Sequence, residues 1–199
     1  MKTPPTTSAE IPIRLFATPK EWEEWLNAHH AEAKGLWLRL AKKNSGIVSV
    51  TYAEALDVAL CYGWIDGQKK SYDDATFLQK FTPRGKKSIW SKINREKVEA
   101  LLKARRMKPA GLSAVDSAKQ DGRWDAAYDS QRNATVPADF QAALEQNPKA
   151  KAFFATLKSG NRYAILFRLQ TAKKTETREK RIRQFIEMLE RGETIHPQS

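Results

Sequence analysis

The stretch Gly63-Trp64-Ile65-Asp66-Gly67-Gln68-Lys69-Lys70-Ser71-Tyr72-Asp73-Asp74-Ala75-Thr76-Phe77-Leu78-Gln79-Lys80-Phe81-Thr82-Pro83-Arg84 decides the fold. Two β-prone segments, Gln68 to Tyr72 and Ala75 to Thr82, flank the turn-forming pair Asp73-Asp74, a pattern that predicts a hairpin. Alternation along the second strand puts Phe77, Gln79 and Phe81 on one face and Leu78 and Lys80 on the other.

Upstream, Thr18-Pro19-Lys20-Glu21 is a capping box with proline at the first helical position, and Trp22, Trp25, Leu26 and His29 follow at helical spacing. His29 and His30 are sequence neighbours about 100° apart on a helix, a poor geometry for one metal, and His29 reads as the edge of the apolar stripe. After Gly35, Leu36-Trp37-Leu38-Arg39-Leu40-Ala41 reads as a strand. Thr51-Tyr52-Ala53-Glu54 is a second capping box, opening a helix to Cys61 that Gly63 is placed to end. Cys61, the single cysteine, reads as a small buried hydrophobe in that helix.

Downstream of the hairpin, Asn94 is a candidate cap for a helix carrying Val98, Leu101 and Leu102. Met107-Lys108-Pro109 breaks it, and a further helix with Leu112, Val115 and Ala118 runs to Gly122. From Pro137 onward the pattern is helical throughout: Phe140 and Leu144, then Phe153, Phe154 and Leu157, then Ile165, Leu166 and Leu169, and finally Ile182, Phe185, Ile186 and Leu189. The expected fold is α+β, mainly helical, with a small antiparallel sheet in the N-terminal part and a C-terminal helical module. The expected divisions are a flexible tail at 1–12, an α+β domain at 13–135 and a helical module at 136–199.

Composition narrows the function classes. The 199 residues carry a formal charge of +12, unevenly spread. Residues 69–108 hold 13 basic and 4 acidic groups, and residues 149–191 hold 12 and 4. Such a surface attracts polyanions, so an acidic partner is expected: protein, nucleic acid or an anionic surface, with self-association a further option. No apolar run approaches the ~18 residues of a membrane span, no secretory apolar segment follows the N-terminus, and one cysteine forms no internal disulfide. These features predict a cytoplasmic protein.

No phosphate-binding glycine loop, zinc-ligand cluster, His-Glu-x-x-His helix or nucleophile elbow occurs, so no catalytic residue, metal or cofactor is expected. The densest unusual region supplies the candidate ligand- or anion-binding set: Trp64, Asp66, Lys69, Lys70, Arg84, Lys86, Lys87, Ser88 and Trp90. Hairpin pairing is expected to fold Arg84 back towards Asp66, with Lys69, Lys70, Lys86 and Lys87 ringing that end and tryptophan rings available for stacking. The competing reading makes Asp66 and Arg84 a structural ion pair and the tryptophans core. In the C-terminal basic run, Glu176 with Lys180 and Glu179 with Arg183 are expected i, i+4 pairs. Two functions follow: a non-enzymatic binding protein acting through an acidic partner, or a small-molecule enzyme with its site near Asp66 and Arg84.

Several strings together resemble one family. They are Gly35-Leu36-Trp37-Leu38, Val50-Thr51-Tyr52-Ala53-Glu54-Ala55-Leu56-Asp57, Cys61-Tyr62-Gly63-Trp64-Ile65-Asp66-Gly67, Phe81-Thr82-Pro83-Arg84, Met107-Lys108-Pro109-Ala110-Gly111 and Gly122-Arg123-Trp124. With Ala172-Lys173-Lys174-Thr175-Glu176-Thr177-Arg178 near the C-terminus, the chain resembles the YdeI or OmpD-associated (OmdA-like) bacteriocin-protection family over residues 13–195. The resemblance implies a stress-tolerance role against bacteriocins or antimicrobial peptides and an association with an outer-membrane porin; it supplies no catalytic residues. Many such peptides are cationic and a +12 protein repels them at long range, so the protection it implies is indirect.

Overall fold

A computed structural model describes residues 11–197. The tail expected at 1–12 therefore lies outside the described residues except for Ile11 and Pro12, and Pro12 is engaged: its carbonyl accepts from the Trp37 N–H at 2.9 Å. The fold is α+β with eight helices and a four-stranded sheet among the described residues. Two compact units divide it, one comprising residues 11–89 and 94–125, the other residues 90–93 and 126–197.

In the first unit the sheet order is β1-β2-β4-β3, with β1 at Ile13–Arg14, β2 at Leu36–Ala41, β3 at Trp64–Ser71 and β4 at Thr76–Pro83. The expected sheet was antiparallel; the short β1 adds a parallel pair against β2, so the sheet is mixed. The β3–β4 hairpin forms as read, though β3 begins four residues earlier than expected, at Trp64.

Register explains which side is buried. Leu36 pairs with Phe81, Leu38 with Gln79 and Leu40 with Phe77, so these six share one face. Helices α1 (Pro19–His29) and α2 (Tyr52–Cys61) cover it, and an aromatic cluster forms there: the Trp22 ring lies 5.4 Å from Trp25, 5.7 Å from Phe81 and 6.3 Å from Trp64. Gln79 is buried on this apolar face for a specific reason. Gly67 and Gln68 of β3 both stand opposite Lys80 in a bulge, and Gln79 Nε2 donates to their carbonyls at 3.0 and 3.3 Å. The extra residue also resets the alternation, which puts Lys70 on the opposite face beside Trp37 and leaves Lys69 beside Phe77.

Local signals account for the helix ends. Thr51 and Glu54 form the reciprocal capping box of α2, and Gly63, at φ +71°, follows the C-cap Tyr62. At α1 the box is only half reciprocal: Thr18 Oγ1 accepts from Glu21 N–H, but the Glu21 carboxylate takes the Ala17 N–H instead of the cap's own. Asn94 does not cap the next helix. Helix α3 spans Lys92–Lys103, and Asn94 is buried within its first turn. Helix α4 (Pro109–Gln120) buries Gly111, Val115 and Ala118, while Leu112, expected in the core, is exposed, because the tight approach of Gly111 to α2 turns that side inward. Ion pairs link these helices to the earlier ones: Lys97 to Asp57 at 2.6 Å and Lys108 to Glu23 at 2.9 Å.

The second unit packs α5 (Ala138–Glu145), α6 (Pro148–Thr156), α7 (Ser159–Gln170) and α8 (Thr175–Glu190) around Phe140, Leu144, Phe154, Ile165, Leu169 and Leu189. Helices this short are marginal alone and depend on that shared core. Pro148 sits at the first helical position with Asn147 as cap, whereas Pro137 is itself the N-cap, one residue off the expected place. The expected Glu176–Lys180 and Glu179–Arg183 pairs do not close among the described residues. Instead Arg178 donates to the Asp139 carboxylate (2.5 and 2.8 Å) and to Leu169 O (2.7 Å), and Arg181 donates to Arg168 O, so long-range partners win over i, i+4 ones.

The Arg178 hydrogen bonds, aided by the Phe140 N–H and opposed by partial desolvation, hold the Asp139 carboxyl below its ordinary value. A depressed folded value contributes stability above the unfolded carboxyl pKa of ~3.9, lost as pH falls through the folded one. Asp139→Asn is therefore expected to destabilise at pH 6 by about 1 kcal/mol or less, screening at this half-exposed pair limiting the effect, with the difference narrower at pH 3. Urea denaturation of both proteins at the two pH values measures it; an unchanged gap contradicts it.

Candidate functional site

The expected site residues separate into two places and a remainder. A hairpin has two ends, and β3 pairs Trp64 with Pro83 at one and Ser71 with Phe77 at the other. Lys69 and Lys70 stand near the second end, while Arg84, Lys86, Lys87 and Ser88 follow β4 beyond the first. The four lysines therefore do not ring one end, as expected. Asp66 and Arg84 do not pair either. Asp66 accepts from Tyr52 Oη at 2.9 Å, whereas the Arg84 backbone N–H donates to Gly63 O at 2.9 Å and its Nη1 to Ile89 O at 3.2 Å. Trp90 is buried and belongs to the second unit, where its carbonyl accepts from the Tyr128 N–H.

At the turn end of the hairpin, Lys42, Lys43, Lys69 and Lys70 line one hollow of about 500 Å³ together with Ala41, Ser71 and Phe77; no carboxylate is among the lining residues. The Lys69 ammonium lies 4.2 Å from the Phe77 ring centre, and Lys70 and Lys80 lie 4.3 and 5.7 Å from that of Trp37. Arg39 stands over the Tyr72 ring at 5.0 Å and pairs with Asp73 at 2.8 Å. Trp37, Arg39, Lys70 and Lys80 share the sheet face that α1 and α2 leave uncovered, where Ile13 is exposed and Trp37 half-buried, whereas Phe77 and Lys69 belong to the other face at its turn end. Crowded like charges carry a standing electrostatic cost that an anion relieves.

Beyond the other end lies an open cleft of about 360 Å³. Trp64, Pro83, Arg84 and Lys86 line it from the hairpin side, His30 and Tyr62 from the ends of α1 and α2, and Ala110, Ser113, Ala114 and Ser117 from one stripe of α4. Trp64 Nε1 donates to His30 O at 3.2 Å, and His30 Nδ1 is 2.9 Å from Leu26 O. Burial pushes the Tyr62 hydroxyl up, so it stays protonated and able to donate. Arg123, buried beside the cleft, donates Nε to the Asp121 carboxylate, Nη1 to Ser88 O at 2.9 Å and Nη2 to Ser117 Oγ at 3.2 Å. Ser88 Oγ in turn accepts from the Gly85 N–H, which fixes the 84–88 loop at the rim, where Lys87 is exposed.

His30, Tyr62, Ser113, Ser117 and Arg123 were not among the expected site residues. The signal for two of them was present: Ala110, Ser113, Ala114 and Ser117 recur at i, i+3, i+4 and i+7 as small residues, a helix face that leaves space. Cys61 lies buried at the end of α2, where burial pushes its thiol up and keeps it protonated, as expected of a packing residue. Among the described residues no group of His, Cys, Asp and Glu is placed to hold a metal ion, and no helix is long and apolar enough to cross a membrane.

Comparison with known proteins gives two family matches along the chain. Residues 14–114, just over half of it, match the model of a domain of unknown function, DUF8412, and residues 133–192 match the model described as bacteriocin-protection, YdeI or OmpD-associated. The second match covers less than the resemblance read over 13–195. No curated protein and no solved structure matches the chain. The chain thus belongs to the DUF8412 family and carries a C-terminal module of the bacteriocin-protection, YdeI or OmpD-associated family.

Proposed function

We propose that this is a non-enzymatic, cytoplasmic stress-tolerance protein that binds single-stranded nucleic acid through the uncovered face and turn end of its sheet. One observation carries the reading: Lys69 and Lys70 of β3 and Lys42 and Lys43 just after β2 line a single hollow with the Phe77 ring, Lys70 also reaching the Trp37 ring, and no carboxylate lines it. Cations spaced along strands track a phosphate backbone, and rings accept bases without regard to sequence. Moving a lysine from a ring to a phosphate gives up an exposed cation–π contact of about 0.5–1 kcal/mol, whereas stacking a base contributes about 1–3 kcal/mol. Binding is favoured by that difference. The bacteriocin-protection module supports a tolerance role, and the +12 charge argues for indirect protection, since like charge keeps cationic peptides away.

Four phosphate contacts predict a slope near −2.8 in a plot of log affinity against log salt for a single-stranded oligonucleotide, about a 50-fold loss between 50 and 200 mM. Fluorescence anisotropy with labelled oligo(dT) measures the slope. Lys70→Glu is expected to weaken binding at least tenfold, and Trp37→Ala by roughly 5- to 150-fold, the equivalent of one stacked base. A flat titration at ~50 mM salt sinks the reading, as does tight binding only to an acidic protein or to anionic vesicles.

A further inference from the structure

Resting on the nucleic-acid reading above, we propose that Tyr72, held by Arg39, is a second base-stacking platform beside Trp37. Tyr72 follows β3 at the hairpin turn and is 49% exposed. The Arg39 guanidinium covers its ring at 5.0 Å, and among the described residues no other cation or ring lies against it. Arg39 is itself fixed: Nη2 donates to the Asp73 carboxylate at 2.8 Å and Nε to Thr76 Oγ1 at 3.0 Å. Asp73 is fixed in turn, accepting from the Ala75 N–H at 2.9 Å and from the Thr76 N–H and hydroxyl at 2.6 and 2.7 Å. Lys42 Nζ donates to Asp73 O and the Lys42 N–H to Ala75 O, both at 2.8 Å, tying the turn to β2. The turn that carries Tyr72 is thus ordered before a ligand arrives, so little freedom is lost when a base stacks there.

The two rings differ in what a base meets. Trp37 carries two ammonium groups, Lys70 at 4.3 Å and Lys80 at 5.7 Å, and a base competes with them for its faces. At Tyr72 the cation takes one face and stays there, locked by Asp73 and Thr76, which leaves the opposite face to the base. A guanidinium behind the ring also draws on its negative quadrupole, easing the approach of a second π-face from the front. Position fits one continuous strand. Ser71 pairs with Phe77, so Tyr72 falls across from Thr76, whose partner on β2 is Ala41, four residues from Trp37. The two residues are therefore anchored roughly 16 Å apart at the usual strand rise and spacing. That is several times the ~3.4 Å between stacked neighbours, so the platforms take separate bases of one strand. Lys70, in the row between them, is placed to meet the backbone that joins those bases.

Anisotropy of the full chain with labelled oligo(dT), and with an abasic oligonucleotide of the same length, separates stacking from charge. Tyr72→Ala is expected to weaken oligo(dT) binding roughly 5- to 30-fold, the lower part of the range for one stacked base. It leaves the abasic strand and the salt slope unchanged, because no charge is removed. Tyr72→Phe keeps the ring and binds as the wild type does. Arg39→Lys keeps the charge but gives up the forked bonds and the flat contact with the ring. It is expected to weaken oligo(dT) roughly two- to fivefold, the equivalent of one exposed cation–π contact, with the abasic strand unaffected. Lys70→Glu weakens both ligands. If Tyr72→Ala binds oligo(dT) as tightly as the wild type while Lys70→Glu does not, the platform is overturned and the nucleic-acid reading stands. Equal losses on both strands make Tyr72 a prop of the turn and overturn the platform too. No binding of oligo(dT) by the wild type overturns both.

Discussion

Trp22→Ala is expected to cost about 3–5 kcal/mol, lowering Tm by roughly 6–20 °C. Trp22 is fully buried on α1 at the centre of the first unit's aromatic cluster, stacked on Trp25 and within 5.5 to 6.3 Å of Phe16, Phe81 and Trp64. Truncation removes the transfer free energy of the largest side chain and leaves a void that the neighbouring rings cannot close. Each is tied elsewhere: Phe81 in β4 between Leu36 of β2 and Asp66 of β3, Trp64 through Nε1 to His30 O. Trp22 also donates Nε1 to Ala55 O at 3.1 Å, joining α1 to α2. Trp22→Phe isolates that bond, keeping most of the volume, and is expected to cost about 1–2 kcal/mol. Thermal unfolding followed by near-ultraviolet circular dichroism ranks the three proteins. A loss below about 1 kcal/mol in Trp22→Ala would show that the cluster repacks.

The sequence made this cluster legible in part, because helical spacing of Trp22, Trp25 and Leu26 and strand alternation at Leu36, Leu38 and Leu40 are local patterns. Capping at Thr51 and termination at Gly63 were readable for the same reason: each is a bond or a dihedral within a few residues. What failed to read was set at long range. Asn94 has the chemistry of a cap, but α3 begins two residues before it and draws the side chain inward. Glu176 and Glu179 each have a cation four residues on, yet those pairs do not close, and Arg178 between them reaches Asp139 on another helix, where two parallel bonds outweigh one solvated pair.

The candidate site shows the same division more sharply. Proximity in sequence suggested that Lys69, Lys70, Lys86 and Lys87 act together, but the two ends of an eight-residue hairpin stand roughly 20 Å apart at the usual strand rise. The bulge at Gly67 and Gln68 then decides which face each lysine joins, and that depends on Gln79 inserting from the neighbouring strand. The cleft draws on the ends of α1 and α2, the β4 exit loop, α4 and Arg123, segments far apart in the chain. Its only compact trace in the sequence is the run of small residues along α4.

Gly111→Ala carries the second large expected effect. A Cβ at Gly111 would lie 2.2 Å from Cys61 O, 2.8 Å from Cys61 C and 2.8 Å from Met107 Cε. Methionine can swing away, but a backbone carbonyl cannot, least of all one that accepts the Lys108 N–H at 3.0 Å. The approach is reciprocal: Gly63, already at φ +71°, would place a Cβ 2.9 Å from Ala110 O. The first turn of α4 and the last of α2 thus meet backbone to backbone, and a methyl group must drive them apart, breaking the Lys108 bond and widening the cleft. The expected cost is about 3 kcal/mol, the upper part of the range for overpacking, or roughly 6–12 °C in Tm. Two controls separate steric from conformational causes. Gly122→Ala meets nothing within 4 Å and bears only the strain of φ +75°, about 1–2 kcal/mol; Gly160→Ala, in open space on α7, is expected to stabilise by about 0.4–1 kcal/mol. Calorimetry of the three variants gives the order. If Gly111→Ala proved no worse than Gly122→Ala, α4 would have room to move away from α2, and the close contact would not be what holds the cleft in shape.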